Sequence, residues 1–295
     1  MMTTQDHILP DARREAIAAL GTVLNPGVLD AVRRLYEEEQ QALAAATSPH
    51  AVDIAYGAHE RHRLDLYRPE GADAPLPVLV FVHGGGFLMG DKGGAESWIN
   101  AHVGRWAAAS GFMGCVINYR LAPDNIWPSG SEDVAAVVDW LKANVAAHGG
   151  DPDRIVLMGT SAGAVHVAGY LRLAGERAAR DLRGAVLLSG LYGYTPLDER
   201  DTLYYGDRAD YADRKPLEAV AGTALPLFVA CAEYDPPRFQ AEFLGLMRDR
   251  LERHGIMPRG AIMSGHNHYS MATHLGTRDR RLADEIGAFM RDHCR

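Results

Sequence analysis

The spacing of apolar residues changes several times along the chain. Over residues 10–46 they recur at the three- and four-residue spacing of an amphipathic helix, with a break at Asn25-Pro26-Gly27, which predicts two helices. Residues 52–56 and 63–67 instead alternate between apolar and polar side chains, as antiparallel edge strands do. From residue 77 onward, short continuous apolar runs alternate with segments of helical period.

These later segments predict a regular alternation of buried strands and helices. The strands are predicted near residues 77–82, 114–119, 154–158, 184–189, 226–232 and 259–264. The helices are predicted near residues 96–110, 130–147, 162–174, 238–254 and 278–292. Such alternation requires a mostly parallel sheet with helices on both faces, in which ligands bind at the carboxyl ends of the strands. We therefore predict an α/β fold.

The same pattern predicts how the chain is divided. No linker interrupts residues 51–295, which are predicted to form one domain. Residues 1–50 are predicted to form a small helical cap over the mouth of the ligand site, and plain packing against the core is the alternative. An insertion at residues 191–220 is rich in tyrosine and charge. It either lines a pocket or merely connects a strand to a helix.

Composition narrows the classes of function. The chain has 295 residues, 47% of them hydrophobic, which is enough for a large core. A net charge of −8 argues against nucleic acid as a partner. Cys115, Cys231 and Cys294 show no paired spacing, so no disulfide is expected and a cytoplasmic location fits. We see no signal peptide, membrane span or metal-ligand spacing, and we expect no metal or cofactor.

One short segment has the pattern of a catalytic nucleophile. It lies between a predicted strand and a predicted helix and reads Gly159-Thr160-Ser161-Ala162-Gly163. A serine on a sharp strand-to-helix turn exposes its hydroxyl, and the helix N-terminus directs backbone N–H groups at an anion formed beside it. An ordinary tight turn would show the same five residues. In this context the pattern makes Ser161 the candidate nucleophile.

A glycine run follows the strand predicted at residues 77–82. This segment reads His83-Gly84-Gly85-Gly86-Phe87. Because glycines leave the backbone bare, their N–H groups can approach a substrate carbonyl and bind the oxyanion that forms when serine attacks it. Such a segment upstream of a Gly-x-Ser-x-Gly turn is a known pairing in lipases and esterases. The candidate oxyanion donors are the N–H groups of Gly85, Gly86 and Ala162.

A serine hydroxyl is a poor nucleophile unless a base takes its proton and a carboxylate orients that base. Asp235 follows the strand predicted at residues 226–232. We favour it over Glu233 because two prolines restrict the loop directly after it. The polar loop after the last predicted strand supplies the base, and it contains both His266 and His268. The residues alone leave the choice between these two histidines open.

Together these motifs resemble the α/β-hydrolase superfamily, in the region shared by hormone-sensitive-lipase-like esterases and kynurenine formamidases (arylformamidases). The resemblance covers roughly residues 50–293. Three segments resemble the esterase pattern: the glycine run, the Gly-x-Ser-x-Gly turn and Tyr119-Arg120-Leu121-Ala122-Pro123. Two later segments resemble the formamidase branch: Asp235-Pro236-Pro237-Arg238-Phe239 and His268-Tyr269. In one respect the chain departs from that branch, which has an aromatic residue where Gly86 stands.

The resemblance implies a reaction and assigns roles. It favours His268 over His266 as the base, with Ser161 and Asp235 completing a triad that hydrolyses carboxylic esters of small substrates through an acyl-enzyme. The alternative is an arylformamidase or amide hydrolase, and an alternative of another class is an inactive hydrolase fold used as a binding module.

Further expectations concern the pocket and the partners. Phe87, Trp127 and Tyr192 are candidate substrate-binding residues, expected to crowd a long acyl chain. The expected partner is a small ester or amide, without nucleic acid or membrane. A homodimer is the oligomeric alternative to a monomer.

Overall fold

A computed structural model of the protein describes residues 9–94 and 97–295. It begins with two helices, α1 (Asp11–Leu20) and α2 (Pro26–Ala46). The Asn25 side chain caps α2 by accepting a hydrogen bond from the backbone N–H of Val28 at 2.8 Å, so the predicted break is a helix start. Residues 1–8 of the predicted cap segment, and the first residue of the helix predicted at 96–110, lie outside the described residues.

Eight strands form one sheet. They are β1 (Ala51–Ala55), β2 (Arg63–Tyr67), β3 (Leu76–Val82), β4 (Met113–Ile117), β5 (Gly150–Thr160), β6 (Gly184–Leu188), β7 (Leu227–Tyr234) and β8 (Arg259–Asn267). Their order is β1-β2-β4-β3-β5-β6-β7-β8. The β1–β2 and β2–β4 pairs are antiparallel and the other pairs are parallel, which confirms the predicted mostly parallel sheet. The prediction that β2 is an edge strand is wrong, because β2 lies between β1 and β4.

Further helices cover the two faces of this sheet. They are α3 (Ala101–Ala109), α4 (Ser129–Asn144), α5 (Ala162–Ala174), α6 (Arg177–Asp181), α7 (Thr202–Tyr205), α8 (Tyr211–Arg214), α9 (Leu217–Gly222), α10 (Pro237–His254), α11 (Ser270–Thr273) and α12 (Arg281–His293). The helix predicted to reach residue 147 changes to a 3-10 turn at Val145–His148. Within the described ranges, no helix combines the length and apolar character that crossing a bilayer requires.

Alternate side chains of the central strands enter two separate cores. On β3, Val80 packs on one face with α4 and α5, whereas Phe81 packs on the other with α3 and α12. Burial on both faces explains why these strands are continuous apolar runs rather than alternating ones. The insertion after β6 adds a smaller cluster, in which Tyr204 and Tyr205 pack against Phe87 beside the carboxyl ends of the strands.

Candidate active site

The Gly-x-Ser-x-Gly segment is a tight turn between β5 and α5. Ser161 has a φ of 54°, a left-handed conformation that a non-glycine residue rarely adopts. Both flanking glycines are required by contact: a Cβ on Gly163 would lie 2.0 Å from the carbonyl oxygen of Val82, and one on Gly159 would lie 2.4 Å from the carbonyl carbon of Gly163. The turn therefore holds the serine at the carboxyl end of β5.

The structure brings Ser161, His268 and Asp235 together from the ends of three strands. His268 Nε2 lies 2.9 Å from Ser161 Oγ, and His268 Nδ1 lies 2.7 Å from Asp235 Oδ1. With its proton on Nδ1, His268 donates to the carboxylate and leaves Nε2 free to accept the serine proton. This geometry suits nucleophilic catalysis by a serine, and no other described histidine contacts Ser161 Oγ.

Asp235 is fully buried and is oriented by a residue that the sequence analysis missed. Ser189 Oγ donates a hydrogen bond to Asp235 Oδ2 at 2.6 Å, and the backbone N–H of Ala232 donates to the same oxygen at 2.7 Å. Ser189 directly follows β6. A polar residue at the carboxyl end of a buried strand is the sequence feature that could have identified it. The rival carboxylate, Glu233, instead accepts hydrogen bonds from Ser264 Oγ and Gly265 N–H, away from His268.

The glycine run forms a bare backbone loop beside the serine. Gly85 has a φ of 137°, and a Cβ there would lie 1.8 Å from the carbonyl oxygen of Met89. Among the described residues, the N–H groups of Gly85 and Gly86 donate to no protein acceptor. Ala162 is the first residue of α5, where backbone N–H groups have no partner within the helix. All three N–H groups are therefore available to an oxyanion formed at Ser161.

His83 supports this loop from behind. Its Nδ1–H donates to the carbonyl oxygen of Gly84 at 2.7 Å, and Tyr119 Oη donates to the carbonyl oxygen of His83 at 3.0 Å. The His83 and Tyr119 rings stack at 4.4 Å. His83 is fully buried and does not contact Ser161, so its position is that of a structural brace.

The second candidate base, His266, lies in a separate buried network. Its Nε2 is 3.0 Å from Asp279 Oδ2, and its Nδ1 is 3.0 Å from Ser270 Oγ. The His266 ring stacks on His274 at 3.9 Å. Burial would raise the pKa of Asp279, but hydrogen bonds from Arg281 and His266 hold that pKa below its usual range. This network positions the end of β8, from which the His268 loop continues.

Three members of this network are close enough to share a metal ion, which the sequence did not indicate. The ligand atoms of His266, His274 and Asp279 lie within 4.8 Å of one another. The Arg281 guanidinium, however, already reaches Asp279 Oδ2 at 2.6 Å and His266 Nε2 at 3.3 Å. Because this guanidinium supplies the cation that the buried carboxylate needs, the arrangement fits a structural ion pair better than a metal centre.

A cavity of about 520 Å³ opens at the serine. Its lining includes Ser161, His268 and the glycine run, which places all the proposed reacting groups at one surface. The helical N-terminal segment contributes Thr22, Leu24, Leu29 and Arg33 to the same cavity. This is the position a cap requires, and the role of residues 1–50 as a cap stays a prediction.

Of the three pocket candidates, the structure places only Phe87 in the cavity lining. The prediction for Tyr192 is wrong because the backbone of residues 192–195 wraps around the buried carboxylate of Glu242, which directs the Tyr192 side chain into the main core. Trp127 is not part of this lining: it packs against the cluster that includes Phe87, with the Arg214 guanidinium 5.5 Å from its ring centre, and its role in substrate binding stays a prediction.

The low pKa values of several buried histidines predict that the folded protein loses stability in acid. Burial lowers the pKa of His83 and His102 to about 4, and that of His166 and His274 to about 3. The unfolded chain binds protons at these residues near pH 6.5, whereas the folded chain does not. Stability is therefore fully present above pH 6.5 and decreases as the pH falls toward 4. We expect the melting temperature to be at least about 5 °C lower at pH 5 than at pH 7.5.

A single variant separates this effect from general acid denaturation. Neither ring nitrogen of His166 has a hydrogen-bond partner within residues 9–94 and 97–295, so His166→Leu removes a titrating group without removing a hydrogen bond seen there. Calorimetry between pH 7.5 and 5 should show a shallower decrease for His166→Leu than for the wild type. A melting temperature that stays constant across this range in the wild type contradicts the prediction.

Comparison with known proteins agrees with this geometry. The family described as BD-FAE matches residues 64–184. The chain is 31% identical over 253 residues to the probable carboxylic ester hydrolase LipM of Mycobacterium tuberculosis, across 75% of this chain and 55% of that protein. It is 39% identical over 131 residues to the probable isoprenylcysteine alpha-carbonyl methylesterase ICME of Oryza sativa subsp. japonica, across 44% of this chain and 30% of that protein. The chain thus spans about half or less of these relatives.

Solved structures share the whole fold. An esterase of the fungus Rhizomucor miehei superposes with a TM-score of 0.71 at 22% identity, across 97% of this chain and 98% of that one. At this identity the likeness establishes the fold alone. The predicted α/β-hydrolase fold is confirmed by this superposition and by the sheet order. The chain is therefore similar in sequence to carboxylic ester hydrolases and shares the α/β-hydrolase fold of solved esterases.

Proposed function

We propose that the protein is a serine hydrolase that cleaves carboxylic esters of small substrates through an acyl-enzyme. One observation carries this proposal. Ser161, His268, Gly85 and Gly86 line the same cavity, and the buried Asp235 is hydrogen-bonded to His268 behind them. Similarity to a probable carboxylic ester hydrolase and to a probable methylesterase supports an ester as the substrate.

The first half of the reaction forms the acyl-enzyme. Ser161 Oγ attacks the ester carbonyl while His268 Nε2 takes the hydroxyl proton. Asp235 holds the required tautomer and stabilises the imidazolium. The negative charge on the carbonyl oxygen is bound by the N–H groups of Gly85, Gly86 and Ala162, and removal of one such donor typically costs about 3–4 kcal/mol of transition-state stabilisation. His268 then gives its proton to the leaving alcohol oxygen as the carbon–oxygen bond breaks.

The second half regenerates the enzyme. Water enters the place that the alcohol has left, and His268 Nε2 takes one of its protons as the oxygen attacks the acyl carbon. The tetrahedral intermediate uses the same oxyanion donors. When it collapses, His268 returns the proton to Ser161 Oγ and the carboxylic acid leaves. Each step uses side chains and backbone groups that the chain itself supplies.

The same groups would attack an arylformamide. Esters and arylformamides are therefore distinguished by comparing their rates of hydrolysis. Esters are favoured because an alkoxide or phenoxide leaving group needs less protonation than an amine does. We expect p-nitrophenyl acetate to be hydrolysed with a higher kcat/KM than N-formylkynurenine. If N-formylkynurenine is hydrolysed faster than every ester tested, the result favours a formamidase over an esterase. An inactive binding module would hydrolyse neither substrate.

Short acyl chains should be preferred over long ones. The cavity lining combines apolar side chains, such as Leu24, Leu29 and Phe239, with five charged groups, namely Arg33, Asp198, Arg200, Asp201 and Arg238. An alkyl chain long enough to lie against the charged groups would remove water from them without replacing its hydrogen bonds. We expect p-nitrophenyl acetate and butyrate to have a higher kcat/KM than the decanoate. A kcat/KM that rises steadily with chain length contradicts this prediction.

Two further proposals concern the protein in its surroundings. Cys115, Cys231 and Cys294 are buried and unpaired, which supports a reducing compartment such as the cytoplasm. A homodimer stays a prediction, which light scattering on the purified protein would test.

A further inference from the structure

An arginine occupies the space that the Gly86 side chain would fill. If Gly86 carried a Cβ, that atom would lie 2.0 Å from Nη2 and 2.4 Å from Cζ of Arg200. Gly86 also has a φ of 58°, which disfavours any other residue. The Arg200 guanidinium therefore lies directly beside the glycine loop, which supplies the proposed oxyanion donors. Arg200 belongs to the insertion between β6 and β7, just before α7.

A second arginine approaches the same space from the N-terminal segment. Arg33, on α2, lines the cavity together with Arg200 and Tyr269. Burial raises the pKa of the Tyr269 phenol, and the positive charges of Arg200 and Arg33 both oppose this rise. Both guanidiniums are thus near enough to act on one phenol group. Tyr269 follows the proposed base directly, so the two arginines face the reacting end of the cavity.

A third arginine of the lining lies between two carboxylates. Arg238 pairs with Asp201 at 2.7 Å and with Asp198 at 3.6 Å. The one ion pair that Arg33 forms with a described residue joins it to the exposed Asp30 at 3.3 Å, and such a pair is weak. Arg200 forms no ion pair with any described residue. The cavity lining thus holds three arginines and two aspartates, an excess of positive charge in a chain of net charge −8.

We infer that Arg200 and Arg33 bind an anionic group of the substrate, and that the preferred substrates are small esters bearing a carboxylate. This inference rests on the proposed ester hydrolysis and names its substrate class. A guanidinium presents N–H groups in a planar fork that matches a carboxylate, and two of them can hold one from opposite sides. Arg200 is exposed and Arg33 is partly buried, so solvent screens part of this attraction and two guanidiniums are needed to supply it. Arg200 would determine specificity and take no part in proton transfer.

Two matched substrate pairs test this preference and show which side of the ester carries the charge. On the alcohol side, 3-acetoxybenzoate is compared with 3-acetoxybenzamide. On the acyl side, monomethyl adipate is compared with methyl hexanoate. We expect the wild type to show a kcat/KM at least about tenfold higher for the carboxylate in one pair, chiefly through a lower KM. A neutral member that is hydrolysed as well or better in both pairs overturns the inference.

The ratio of the two kcat/KM values in the preferred pair then identifies the residues. Arg200→Gln and Arg33→Gln should each bring the ratio toward one, and Arg200→Glu should favour the neutral substrate. Arg248→Gln is the matched control, since Arg248 is 71% exposed on α10 and does not line the cavity. It should keep the wild-type ratio. If Arg200→Gln lowers kcat/KM equally for the carboxylate and the neutral substrate, the residue acts only on structure and the inference fails.

These measurements also separate failure of the inference from failure of the proposed function. If the protein hydrolyses neutral esters and shows no preference for the carboxylate substrates, the proposed ester hydrolysis is supported and the inferred arginine site is contradicted. If no ester of either pair is hydrolysed, the proposed function itself fails. Raising the ionic strength gives a second readout, because salt should reduce the preference for the carboxylate more than it reduces the neutral rate.

Discussion

Ser161→Ala is expected to lower kcat for p-nitrophenyl acetate by about a millionfold, the scale seen when the nucleophile of a serine triad is removed. The reason is local. Alanine lacks the hydroxyl oxygen that lies 2.9 Å from His268 Nε2 at the cavity, and it keeps the Cβ that the turn already accommodates. Initial rates measure the loss, and a fluorophosphonate probe with peptide mapping should label Ser161 in the wild type and leave the variant unlabelled.

The control for this experiment is a serine outside the cavity. Ser110, at the C-terminal end of α3, is exposed, so Ser110→Ala should keep both activity and labelling. Circular dichroism and thermal melting of Ser161→Ala should match the wild type. Full ester hydrolysis by a folded Ser161→Ala protein contradicts the triad assignment and removes the main support of the proposed mechanism.

His268→Ala is expected to lower kcat by about four to six orders of magnitude, whereas His266→Ala should lower it by about tenfold or less. His268 is the only described side chain that joins Ser161 Oγ to Asp235. His266 contacts neither of them and is hydrogen-bonded to Asp279 and Ser270 instead. Steady-state rates of the two variants on one ester measure the difference.

His268→Ala should lose more activity, but His266→Ala should lose more stability. His266→Ala opens a space in a fully buried network and removes a partner of the Asp279 carboxylate, which typically costs several kcal/mol. His268 lines a cavity, so its removal leaves no closed void. Thermal melting should therefore show the larger decrease for His266→Ala. If His266→Ala lost more activity than His268→Ala while remaining folded, the base would be His266.

Much of the candidate site follows from the order of motifs along the chain. Ser161, Asp235 and His268 each come directly after or at the end of an apolar run. In a parallel sheet such ends meet at one edge, so residues that are over a hundred positions apart are brought together by the fold itself. The glycine run after β3 reaches the same edge for the same reason. The catalytic roles of these residues stay predictions until the variants are measured.

The choice between two candidate residues close together in the sequence was harder to predict, because it depends on the direction in which each side chain points. Along a strand, successive side chains point to opposite faces, but irregular pairing changes this alternation. The β7–β8 pairing shifts between Ala232 and Tyr234, next to Glu233 and Asp235. The two prolines after Asp235 favoured this residue, but the shift in pairing is visible only in the tertiary structure. His266 and His268 differ in the same way, by the path of the chain at the end of β8.

The sequence by itself determined the α/β architecture, the strand ends that supply the site and the serine turn, because local apolar period and glycine placement are read from neighbouring residues. Only the tertiary structure decided what lines the cavity. Tyr192 enters the core because a carboxylate fifty residues later, Glu242, accepts hydrogen bonds from its backbone. Arg200 reaches Gly86 because the insertion folds back over the sheet edge. Contacts between such distant segments depend on packing that no local pattern encodes.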